Sequence, residues 1–133
     1  MSTEHPFIHT YPIQNVVDAS KVDSIINFVR DAMGVGIESR PSVWMVGHDH
    51  MQHAAQRVFH YKTDHQVMGW FSRNHPDKVF ISDRLKIRNV RHAAVLAHEV
   101  THFFQCCTND DREMDLLEQD ADRCMNDYLR HHG

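Results

Sequence analysis

Residues 98 to 102 read His98, Glu99, Val100, Thr101, His102, and sixteen positions later comes Glu118, followed four residues on by Asp122. Two histidines four apart on a helix share one face, with Cβ atoms about 5 to 6 Å apart, so their imidazoles can converge on one ion. Glu99, next to the first of them, can stand beside a coordinated water without binding the ion. A downstream carboxylate would complete a His, His, Glu set, which zinc accepts in catalytic sites while keeping a fourth position open. Such an ion lowers the pKa of a coordinated water from about 15.7 to about 7 and polarises a carbonyl. Glu99 would then accept the water proton and deliver it to a leaving amine. The chemistry expected is hydrolysis, with one zinc per chain.

Glu118 leads as the third ligand, but Asp122, Asp110 and Asp111 compete with it, because Glu113, Asp115, Asp120 and Asp127 make the whole segment acidic. Asp122, one helical turn past Glu118, is placed to hold the far nitrogen of a metal-bound histidine and so set its tautomer. Cys106 lies four residues past His102 on the same face, and thiolate also binds zinc. Its simpler role is that of a small buried hydrophobe near a helix end. His48, His50 and His53 form a loose trio read as surface. With 13 histidines in 133 residues, accident would supply roughly 0.05 matches to the five-residue pattern.

The elements around the motif reduce that chance further. Asn89 to Cys107 has no Gly or Pro and carries Ala93, Ala94, Val95, Leu96, Ala97, Val100, Phe103 and Phe104, which predicts a helix apolar nearly all round and therefore buried. Polar groups in such a helix cost free energy unless paired, and a metal is an economical partner. Upstream, Ser20 and Asp23 read as a capping box for a helix with Val22, Ile25, Ile26, Val29 and Met33 on one face, stopped by Gly34 and Gly36. A strand follows at Ser42 to Val46, then a helix capped by Asp49 with Met51, Ala54, Ala55, Val58 and Phe59 on its face. Val67 to Ser72 and Lys78 to Ser82, joined through Asn74 to Asp77, read as an antiparallel hairpin. After Thr108, Asn109 and Asp110, a last helix puts Met114, Leu117, Ala121, Cys124 and Tyr128 on its core face, bordered by Glu118 and Asp122.

A chain of 133 residues with 41% hydrophobic content holds one core. Residues 1 to 17 read as a candidate N-terminal arm, and 18 to 133 as a single domain. The formal charge of −4, with no basic stripe, argues against nucleic acid as a partner. No apolar run approaches the roughly 20 residues that span a bilayer, and the N-terminus lacks a Sec-type signal. Three cysteines without a disulfide framework suit a reducing compartment, so a cytoplasmic protein is expected. Oligomeric state leaves no mark in the sequence.

HExxH followed by ExxxD resembles the gluzincin branch of zinc metallopeptidases. The resemblance implies His98, His102 and Glu118 as ligands, Glu99 as base and Asp122 as the carboxylate behind a ligand. In that family an edge strand and its hairpin partner precede the active helix, and the edge strand pairs with extended substrate. Gly69, Trp70, Phe71 and Ser72 occupy the corresponding place. The likeness spans roughly residues 66 to 125, and in compactness the chain is similar to minigluzincins and the small ImmA/IrrE-like peptidases. The fold implied is α+β: a compact zincin-like domain with a small mixed or antiparallel sheet, a buried HExxH helix and a C-terminal glutamate helix. The metzincin pattern fails, since Gln105 and Thr108 stand where it needs Gly and His. A SprT-like protease needs a third histidine, and only His131 and His132 remain.

No large C-terminal subdomain supplies the family's oxyanion helper, which leaves Tyr128, Tyr61 and His92 as candidates on reach. The expectation is a zinc-dependent peptidase cutting an extended protein or peptide segment. Its rival is a non-catalytic, zinc-stabilised or metal-sensing binding module, in which Cys106 or Asp110 would close the coordination shell.

Overall fold

The computed structural model describes residues 10 to 12, 19 to 36, 38 to 59, 67 to 73 and 75 to 133. Most of the expected arm, together with Tyr61 and Asn74, lies outside the described residues. The elements run β1 (Thr10–Pro12), α1 (Ala19–Met33), β2 (Ser42–Val46), α2 (His48–Phe59), β3 (Gly69–Phe71), β4 (Lys78–Ser82), α3 (Val90–Cys107) and α4 (Met114–His132). The strands form one mixed sheet in the order β1-β2-β4-β3. β2 and β4 are parallel, while β1 and β3 pair antiparallel with them on either side. Three residues of the expected arm are thus a strand, with Thr10 opposite Val46.

Strand alternation sorts the core into two layers. Val43 and Met45 of β2 and Val79 and Ile81 of β4 join Val22, Ile25 and Val29 of α1 and the apolar face of α3. Their neighbours Val46 and Phe80 turn to the other face, where they meet Met51 and Ala54 of α2 and Trp70 of β3. β4, paired on both sides, is buried along almost its whole length, as a central strand covered on both faces should be.

α3 is the axis of the domain, packed on α4, α1, β3 and β4. Ala93, Ala94 and Ala97 are fully or almost fully buried, and their small side chains let those neighbours approach. Asn89 caps the helix by accepting from the N–H groups of Arg91 and His92. Buried Thr101 satisfies its hydroxyl by donating to the Ala97 carbonyl at 2.8 Å. At the far end Asn109 takes φ 54°, and the Asn109 and Asp110 N–H groups donate to Cys106 and Gln105 carbonyls. That Schellman-type stop turns the chain back, so α4 runs against α3. α1 ends the same way at Gly34, φ 67°, with Gly34 N–H bonded to Asp31 and Val35 N–H to Arg30.

Four local expectations need correction. Ser20 lies inside α1, which begins at Ala19, so it is not the cap. Asp49 is in the first turn of α2; the Asp83 carboxylate accepts from His48 N–H instead, at 3.1 Å. His48 is buried, its Nδ1 2.7 Å from Ser82 Oγ, and so does not join a surface trio. Met114, expected on the core face, is 63% exposed. No helix among the described residues is long and apolar enough to cross a membrane.

Candidate metal centre

α3 presents His98, Glu99 and His102 to a cleft of about 420 Å³, whose other walls are β3 and the start of α4. From α4 the Glu118 carboxylate reaches both imidazoles: Oε2 is 3.2 Å from His98 Nε2 and Oε1 is 2.9 Å from His102 Nε2. Among the described residues these three form the one group whose donor atoms could share an ion, all within 4.8 Å of one another. Cys106 and Asp110 do not belong to it. Asp122 stands behind His98, with Oδ1 3.2 Å from Nδ1.

The hydrogen bonds at the back of each ring decide what its front can offer. Gln105 is buried; its Nε2 donates to the Leu117 carbonyl at 2.9 Å, which turns Oε1 toward His102 Nδ1 at 2.8 Å. An amide oxygen only accepts, so His102 Nδ1 carries a proton, which leaves Nε2 as the nitrogen available to a metal. His98 is held below its ordinary pKa by burial first and then by the neighbouring His102, against the pull of Glu118 and Asp122. Neutral, it has one N–H to share between two carboxylates. Its Nε2 is hydrogen-bonded to Glu118 and its Nδ1 stands at the same 3.2 Å from Asp122; moving the proton to the Asp122 side would leave Nε2 as a lone pair for a metal. With both protons on the Nδ1 side, the two Nε2 lone pairs and the Glu118 carboxylate would face one another as a ready donor set for a cation. Ligand atoms around tetrahedral zinc stand roughly 3.3 to 3.6 Å apart, from bond lengths of about 2.0 to 2.2 Å. The observed 3.2 Å is near that spacing and 2.9 Å is shorter, a hydrogen-bond length, so the donor set matches zinc in ligand chemistry and would have to open slightly to hold it.

Glu99 shares the cleft without belonging to the donor set. A Cβ built on Gly69 would come within 2.7 Å of Glu99 Cγ, so only a glycine lets the carboxylate lie this close to β3. Burial, and next the charge of Glu118, raise its pKa to about 8, against a backbone hydrogen bond at Phe71.

β3 is a sheet edge. Ser82 N–H donates to the Met68 carbonyl at 2.9 Å, and the alternation of an antiparallel ladder then aims the backbone groups of Trp70 at β4 and those of Gly69 and Phe71 outward. Gly69, Trp70 and Phe71 line the cleft, with the Phe71 ring stacked on His102 at 6.5 Å. The Trp70 side chain, 5% exposed, points into the α2 layer instead, and Ser72 is not a lining residue. The suggested oxyanion helpers are also displaced: Tyr128 is buried against Phe28, and His92 Nδ1 accepts from Lys86 N–H. Two cleft residues escaped the sequence reading, Gln105 and Arg73. A polar residue three positions past His102 in an otherwise apolar helix was the available signal for Gln105.

Two outcomes follow from this geometry. Removing Gln105 with Gln105→Ala frees the His102 ring and should weaken zinc binding about 10- to 100-fold, as read by chelator competition; unchanged affinity would show the ring is held otherwise. In metal-free protein Glu99 has a folded pKa above its ordinary 4.5, so its contribution to stability is complete below about pH 4.5 and is lost as pH rises through about 8. His98, shifted downward, acts in the opposite sense below 6.5. Glu99→Gln should therefore gain stability over the parent as pH rises from 4.5 to 8, by a few kcal/mol, in urea titrations. A pH-independent difference would remove Glu99 as a buried acid. No family model, curated protein or solved structure matches this chain.

Proposed function

We propose that the protein is a zinc-dependent peptidase that hydrolyses a peptide bond in an extended segment laid along β3. The observation that carries this reading is the position of Glu99, a carboxylate beside the three donors but outside their set, against a sheet edge with outward backbone groups. Zinc held by His98, His102 and Glu118 would supply Lewis acidity, activating water and polarising the scissile carbonyl. Glu99 Oε then takes a proton from the attacking water and passes it to the leaving nitrogen.

Substrate placement falls to the backbone. Gly69 offers outward N–H and C=O groups and Phe71 an outward C=O, its N–H being bonded to the Glu99 carboxylate, so a peptide can add as a further strand and have its bonds set by the ladder spacing. Gln105 fixes the His102 tautomer and Asp122 stands ready to take the Nδ1 proton of His98, so that both Nε2 atoms can be directed at one ion. The rival binding module would need a closed shell. Asp110, one residue proposed to close it, is gripped by Arg112 at 2.7 Å.

The test is zinc-loaded Glu99→Gln against an unfolded protein substrate. Cleavage should drop by about 10²- to 10⁴-fold with one zinc retained per chain, whereas His102→Ala should lose the metal itself. Parent-like cleavage by metal-loaded Glu99→Gln would remove Glu99 from the chemistry.

A further inference from the structure

Arg73 stands two residues beyond β3 and lines the same cleft as His98, Glu99 and His102. Its Nη2 donates to the Asp110 carbonyl at 2.8 Å, a bond from the edge strand to the turn between α3 and α4. That bond holds the guanidinium through an uncharged carbonyl, and the charge of Arg73 is the last and smallest of the effects on the Asp110 carboxylate. The Asp110 carboxylate is engaged by Arg112, whose Nε and Nη2 hold its two oxygens at 2.9 and 2.7 Å. A guanidinium has five donors in a planar fork, and one bond leaves enough of them for bidentate capture of a carboxylate. Across the cleft Met114, 63% exposed, leaves an apolar wall beside that charge.

We propose that Arg73 is the recognition point for a carboxylate on the bound peptide, so that the cleft selects acidic segments. Two sources carry this group, an Asp or Glu side chain and a free C-terminus. Arg73 lies in the turn that follows β3, so the carboxylate is taken at the end of the segment laid along Gly69 to Phe71. The proposal rests on the peptidase reading only for what happens after binding.

The test uses zinc-loaded, full-length Glu99→Gln, which can bind without cutting, and three leucine-rich peptides. One is blocked at both ends and carries a single glutamate, one is its blocked glutamine counterpart, and one is the glutamine peptide with a free C-terminal carboxylate. Calorimetry should show about tenfold tighter binding of one acidic peptide over the blocked glutamine peptide; which one names the source. Arg73→Gln should abolish the preference, and Arg73→Lys should keep part of it. Equal affinities, no binding at all, or a preference that survives Arg73→Gln and so belongs to the metal would each overturn the assignment. The same peptides are then offered to zinc-loaded parent protein. Selective binding without cleavage would reject the peptidase reading and leave Arg73 in place; cleavage without acidic preference would reject the role of Arg73 alone.

Discussion

The Glu118 carboxylate of α4 sits against the imidazoles of both His98 and His102 on α3, 3.2 and 2.9 Å from their Nε2 atoms. Behind the rings, His102 gives its Nδ1 proton to Gln105 and His98 has Asp122 at its back. This contact lies between the two helices that pack on each other most extensively. On the proposed zinc reading, a divalent ion shared by the three donors would tie α3 to α4 further, with Glu99 and the edge of β3 beside it.

The rest of the fold serves that meeting of helices. Small alanines let α3 approach the sheet, the Asn109 stop returns the chain so that Glu118 arrives opposite the motif histidines, and Gly69 opens room for Glu99 against the strand. The clamp of Arg112 between Asp110 and Asp120 joins the turn to α4. Positional precision at the site thus comes from helix packing and backbone stops, with few side chains contributing to both the core and the chemistry.

Much of this was readable from residue order. The period of α3, the hairpin before it and the HExxH spacing are local signals, and the structure places His98, His102, Glu118 and Asp122 together where their spacing suggested. What escaped was non-local. Gln105 acts through the Leu117 carbonyl and Arg73 through that of Asp110, and a backbone acceptor leaves no trace in residue type. Trp70 and Phe71 are adjacent aromatics, and alternation alone does not say which of them faces α3. Met114 fits the apolar period of α4 but sits in its first turn, beyond the reach of α1 packing. β1 escaped because its three residues gain a partner only from the edge of β2.

Metal content and coordination of the purified protein test the centre most directly, by elemental analysis and zinc-edge absorption after zinc loading. One zinc per chain, bound by two imidazoles and one carboxylate with a light oxygen atom in the remaining position, is the result predicted by the convergence of His98, His102 and Glu118. A shell containing sulfur, or a fully loaded solution that leaves the protein metal-free, would contradict it.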